Sequence, residues 1–431
     1  MELALPFGSK KVKFEVPYAP DRLAVARREP TPEPCEWKDA ATRALASPVG
    51  VQPLAKMRLE GKTVVIIIDA TPGHAPAGDI IPILTDHLSQ AGAADEDITI
   101  LAAGGDDPTT PAEMQRRLAT DLPKQYTVAS HNAFSDECRF CGFSALGTPI
   151  LANKLAADAD FRIALGRVQP HASRGYTGGD DAILPGVCSF ETIIRHRALG
   201  FAPGSSYGHL GDNPAALDAQ NVGMTVGLDY TLNYVVTLSG DPVAAFAGDP
   251  IKAHLAAVNF GDRMVWGAEL GSPADLAIAS PGHDWPGDRP FDPRAIDLVA
   301  AGVKLGGSII LLASPQELPL PEDDWERELC DVPIRELARL HEKRDWPGSA
   351  GEIAAKLRAV RDAYLTRRPF FSRSVILVGS DLPPQVVDHL GAEQTDTIQE
   401  AVEIVAARHG EDARVALVPD ASTTLCLPEF H

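Results

Sequence analysis

Residues 166–197 read GRVQPHASRGYTGGDDAILPGVCSFETIIRHR and follow the apolar run 161–165, FRIAL. That run has the length and composition of a buried strand. The loop behind it carries a histidine, a Gly-Gly pair and a Pro-Gly before helical spacing begins at Ser189. Strand, glycine-rich loop and helix form the arrangement in which α/β proteins place ligands. Glycine lets the backbone approach closely, and the helix start offers unpaired N–H groups to an anion. A tight turn without a ligand would use the same residues, so the stretch speaks to fold before it speaks to function.

Working outward, 64–68 (VVIII) and 98–102 (ITILA) are short β-rich runs separated by an amphipathic helical pattern over 80–91. Such alternation predicts a parallel sheet with helices on its faces. Thr110 caps a further helix, with Pro111 in its first position and Glu113 three residues after the cap. Another β-rich stretch, 232–238, lies between turns at 211–214 and 248–250. Gly271-Ser272-Pro273 marks a boundary, beyond which 276–279, 309–313, 375–378 and 415–418 read as four strands with helices between them. The expectation is α/β: two domains, 1–268 and 269–431, each with a mostly parallel sheet flanked by helices and an active-site cleft between them. The last residues pack back on the first domain, and 30–34 and 315–324 are linkers.

A chain of 431 residues is long enough for two or three domains with full cores. Hydrophobic content of 45% and charged content of 23% are those of a globular protein. The net charge of −20 argues against nucleic acid or an anionic membrane as partner. The N-terminus, broken by Pro6, Gly8 and a Lys pair, does not read as a signal peptide, and the expected location is cytoplasmic. Six cysteines, at 35, 138, 141, 188, 330 and 426, are too scattered for a disulfide framework. Cys138 and Cys141 form a CxxC after His131, but a zinc site needs further ligands that are not evident nearby.

The order Pro170-His171, then GGDDAILPG from Gly178 to Gly186, then SFETI from Ser189, resembles the lactate racemase family. So do the opening ELALPFGSKKVKFEVP, FAGDP at 246–250, KLGGSIILLAS at 304–314 and VILVGSDLPP at 375–384, in the same order along nearly the whole chain. The resemblance implies an enzyme that inverts C2 of a small-molecule 2-hydroxy acid with a nickel-pincer nucleotide. By position it implies catalytic roles for Asp69, Asp106 and His171. It implies cofactor contacts from Thr71, Gly178, Gly179, Asp181, Pro185 and Gly186.

Several of these positions depart from the family pattern. Pro72 stands where the family has an Arg, Asp106 where it has a catalytic His, and Asp181 where it has the Lys that tethers the cofactor. Arg197 stands at the nickel-binding His, although His196 is its neighbour and the candidate metal ligand. An unshifted Asp, with a pKa near ~3.9, is a much weaker base than His, and an Asp cannot form the amine-derived linkage of a Lys. Covalent attachment is therefore not expected here. Arg174, His283 and Arg289 are candidate substrate contacts, since guanidinium forks bind carboxylates at two points. Pairing of Arg174 with Asp180 or Asp181 is the plainer alternative. The acidic residues Asp69, Asp106, Asp107, Asp180 and Asp181 would also suit Mg²⁺ or Mn²⁺. Three readings stay open: a racemase or epimerase of 2-hydroxy acids or sugar acids, a metal-assisted lyase or epimerase without the nickel-pincer group, and a binding protein without turnover.

Overall fold

Five β-branched residues in a row, Val64–Ile68, are all buried, as the central strand of a sheet covered on both faces requires. The computed structural model describes residues 1–68, 76–106, 116, 126–316, 328–329, 331–342 and 347–430. They divide into two units. One is built from Pro32–Gly261 with Pro347–Ala354, the other from Met1–Thr31, Asp262–Trp346 and Ala355–Phe430. The expected helix start at Thr110 and most of the 315–324 linker lie outside the described residues.

In chain order, β1 (Glu2–Phe7), β2 (Lys10–Glu15) and β3 (Leu23–Val25) belong to the second of these units. The first unit carries β4 (Val64–Ile68), β5 (Ile98–Ala102), β6 (Thr127–Ser130), β7 (Cys138–Phe143), β8 (Pro149–Asn153), β9 (Phe161–Val168), β10 (Pro170–His171), β11 (Gly175–Tyr176), β12 (Tyr230–Val236) and β13 (Pro242–Gly248). Its main sheet has the order β13-β12-β9-β4-β5-β6, parallel throughout except for β13. From β4 the chain builds β5 and β6 on one side and later β9 and β12 on the other. The strand order therefore reverses between β4 and β9, which makes a topological switch point, where open α/β sheets bind ligands. In register, Ile68 stands beside Ala102 and Leu165, so the three strands reach that edge together.

Strand periodicity sorts the core into two layers. Val64, Ile66 and Ile68 join one cluster with helices α1 (Trp37–Ala46) and α2 (Ala77–Gln90), while Val65 and Ile67 join another with Ile183, Val187, Ile193 and Val222. On that second face lie helices α3 (Phe190–Ala198) and α4 (Pro214–Val226). Ser189 caps α3, its hydroxyl accepting from Thr192 N.

The other unit adds β14 (Gly267–Glu269), β15 (Ala274–Ala279), β16 (Val303–Leu312), β17 (Ser374–Val378), β18 (Glu393–Thr395), β19 (Val415–Val418) and β20 (Leu425–Leu427). Its main sheet, β18-β17-β16-β15-β19-β3, is wholly parallel and has its own switch point between β15 and β19. This division differs from a single cut at 268. Leu23, Ala24 and Val25 pair with Val415, Ala416 and Leu417, and Leu5, Phe14, Val16 and Tyr18 cover one face of the same sheet. The described residues up to Phe430 likewise stay with this unit, with β20 paired to β14. No helix among the described residues is long and apolar enough to cross a membrane.

Candidate active site

β9 outlasts the expected strand by three residues, and the chain then folds back in a two-strand hairpin, β10 against β11, with His171 opposite Gly175. Gly175 has φ +75°, and a Cβ there would meet His209 O at 2.1 Å, so the turn requires glycine. The turn aims the backbone N–H groups of Ser173 and Arg174 at His171 Nδ1, at 3.3 and 3.2 Å. A nitrogen that accepts two N–H groups carries no proton, which puts the proton of the neutral imidazole on Nε2.

The Gly-Gly pair follows. A Cβ on Gly179 would lie 2.0 Å from Thr231 Oγ1, one on Gly178 2.5 Å from His254 Cδ2, and one on Gly166 2.4 Å from Gly179 N. These glycines let the loop lie flat on β9 and β12, and the chain's own atoms fill the space their side chains would need. Beyond them, Gly186 N donates to Asp181 O (2.9 Å) and Gly105 N donates to Gly186 O (3.0 Å). Pro185, after a cis peptide bond, packs against Gly105. The loop after β5 is thus fastened to the loop after β9.

That fastening delivers Asp106, which is 4% exposed, to the last turn of α3. Arg197 grips it with both terminal nitrogens: Nη2 donates to Oδ1 at 2.7 Å and Nη1 to Oδ2. A second ion pair joins Arg174 to Asp181, and Arg174 Nη1 also donates to Leu184 O (3.3 Å). Burial pushes the Asp181 carboxyl up to about 6 against the pull of Arg174. Burial likewise works against the Arg174 charge, but Asp181 more than offsets it and holds the guanidinium above its ordinary value. Arg174, Asp180 and Asp181, with Gln220, His254 and Leu217 among others, line a cavity of about 350 Å³.

His196, one residue before Arg197, turns the other way. Its Nδ1 donates to Asp218 Oδ2 at 2.9 Å. Asp218 is fully buried and also accepts from Ser144 Oγ and from Thr148 Oγ1 (3.1 Å). Burial lowers the His196 pKa despite the Asp218 bond, with Arg174 and Arg197 adding to the effect, so the ring is neutral at pH 7.

Contacts therefore link His171, Arg174, Asp181, Pro185, Gly186 and Asp106 with Arg197 at one end of one sheet. Asp69, Thr71, Pro72 and Asp107 lie outside the described residues; β4 ends at Ile68, directly before Asp69. His283 and Arg289 belong to the other unit, on the loop after β15. His283 Nδ1 lies 3.0 Å from Gly8 O, and exposed Arg289 pairs with its neighbour Asp288. Among the described residues no group of three or more His, Cys, Asp and Glu side chains is placed to hold a metal ion. Burial raises the Cys138 thiol to about 11, which keeps it protonated at neutral pH. Asp218 was missed in the sequence, although it had a signal: it sits on the buried stripe of α4 with Ala215, Ala219 and Val222, an acid at apolar spacing.

A family model described as the lactate racemase N-terminal domain matches residues 7–208. The lactate racemase of Thermoanaerobacterium thermosaccharolyticum is 26% identical over 428 residues, covering 97% of either chain. That of Lactiplantibacillus plantarum is 26% identical over 392 residues, covering 89% of either. The solved lactate racemase apoprotein from T. thermosaccharolyticum superposes with a TM-score of 0.67 at 25% identity, covering 99% of this chain and 100% of that one.

Proposed function

This chain belongs to the lactate racemase family, and on that premise we propose that it is an isomerase inverting the C2 centre of a 2-hydroxy acid or sugar acid, with His171 as the group that serves the C2 oxygen. The observation that carries the reading is the pair of backbone N–H groups on His171 Nδ1. They orient the ring beside the switch-point edge and present Nε2–H as a donor. A donor held in this way binds the hydroxyl oxygen of the substrate and orients its C2 centre. Asp106 has a different task in this proposal: with both oxygens on Arg197, it positions that guanidinium instead of taking a proton. The residues present do not fit a nickel-pincer nucleotide tethered and ligated as the family resemblance implies, because the tether and ligand positions hold Asp181 and Arg197.

The test is a panel of single-enantiomer 2-hydroxy acids and sugar acids incubated with the full chain and followed by chiral chromatography. The proposal expects at least one member to be converted to its C2 epimer. No epimerisation across the panel would remove it.

A further inference from the structure

The two positions at which this chain departs most sharply from its family's chemistry touch each other. Asp106 occupies the place of a catalytic His and Arg197 the place of a nickel-binding His, and the structure joins them through two parallel N–H···O bonds. The third departure behaves the same way. Asp181, at the tether position, is paired with Arg174. Each anion has its own guanidinium, and both pairs are largely enclosed: Asp106 and Arg174 are 4% and 7% exposed. A charge buried alone is costly, so an acid placed at either position without its cation would destabilise the fold. Single replacements would therefore be unfavourable, while the paired ones are self-consistent.

We infer that these are reciprocal replacements, and that the site is built on two fixed ion pairs, Asp106–Arg197 and Arg174–Asp181, in place of a nickel ligand and a covalently attached nucleotide. The chemistry of the donor set carries this. A guanidinium has five donors, no acceptor and no accessible neutral form, so it offers a metal cation nothing to bind. The Asp106 oxygens that would otherwise attract the ion are already turned toward Arg197. At the other pair, a carboxylate cannot supply the amine through which a lysine is joined to the cofactor. The inference uses the family reading only to say which positions correspond. Its readouts are mass, metal and stability, so failure of the isomerase reading and failure of this one are distinguishable.

Two measurements test it on the full-length chain. In the first, the protein is coexpressed with the enzymes that make the nickel-pincer nucleotide, then analysed for metal by mass spectrometry and for intact mass. The expected result is nickel at background and an unmodified mass. Stoichiometric nickel, or a mass raised by the nucleotide, would overturn the inference. In the second, thermal unfolding is compared for Asp106→Asn, Arg197→Gln and the double variant, and likewise for Asp181→Asn, Arg174→Gln and their double. Reciprocal pairs give a double variant that loses less Tm than the two singles together. Losses that simply add within both pairs would overturn the reciprocity even if nickel is absent.

Discussion

Two N–H groups on one imidazole nitrogen decide what His171 can do. Replacing it with Ala should abolish epimerisation and leave the fold intact, because the ring caps a surface turn outside the core. Gln, whose amide NH₂ reaches the region of Nε2, should retain part of the activity that Ala loses. Unimpaired turnover in His171→Ala, measured on whichever acid the wild type epimerises, would take His171 out of the site. His131 and His196 make a separate prediction. Burial lowers both below the ordinary histidine value of about 6.5, so the unfolded chain takes up protons first as the pH falls. Their contribution to stability is complete above that value and declines as the pH drops through it. Asp181 and Asp297, both raised to about 6, take up protons in the folded chain first and act in the opposite sense over the same range, so the histidine contribution is read as a difference: between pH 7.5 and pH 5.5 Tm should fall less, or rise more, in His196→Asn, whose amide can still donate to Asp218, than in the parent chain. An equal slope in that variant would show that His196 is not a source of the pH dependence. At this scale the sequence showed which positions had changed, since a motif is local. Their pairing was not visible, because Asp106 and Arg197 are far apart in sequence and meet only in the folded chain, where the Gly105–Gly186 link fastens the two loops.

At the scale of elements, the glycine-rich loop is a packing device before it is a binding device. Gly179→Ala places a methyl 2.0 Å from Thr231 Oγ1 and 3.1 Å from Thr231 Cβ, and neither atom is the end of a flexible chain. Overpacking of this kind costs about 1 to 3 kcal/mol, occasionally more. Chemical denaturation should report that loss, and Thr231→Ala in the same chain should recover part of it. No recovery would mean that the loop's flatness has another cause. The strands themselves were legible: the runs at 64–68, 98–102, 161–165 and 415–418 are short, β-rich and bounded by turns, and all four lie within the observed elements. What period and composition could not show was the β7–β8 hairpin. It leaves Phe140 and Phe143 exposed at 54% and 65%, so no apolar face marks it.

For the whole molecule, the assignment of 1–31 to the C-terminal unit was the part least open to sequence reading. Nothing local in LAV at 23–25 says that its partner is VALV at 415–418. Deleting 1–31 should therefore destabilise the other end of the chain. It removes the edge strand β3 and uncovers the sheet face beneath Leu5, Phe14, Val16 and Tyr18. At about 1.5 to 3 kcal/mol per large apolar side chain, the loss is of the order of the stability of an ordinary domain. Limited proteolysis of the deletion variant should cleave within 269–430 faster than in the intact chain. Equal rates would mean that β1 to β3 are an appendage.

Parallel pairing of β3 with β19 also sets a timetable for the protein's birth. β3 emerges from the ribosome before any other strand of its sheet, and β19, the neighbour it needs, follows hundreds of residues later. At roughly 5 to 20 residues per second, β3 waits on the order of 20 to 80 s for β19. Meanwhile the unit built mainly from Pro32–Gly261 has emerged with every strand of its sheet. During that interval the nascent chain holds out the β1–β2 hairpin with nowhere to dock its apolar side chains, and so offers a chaperone a hold until β19 arrives.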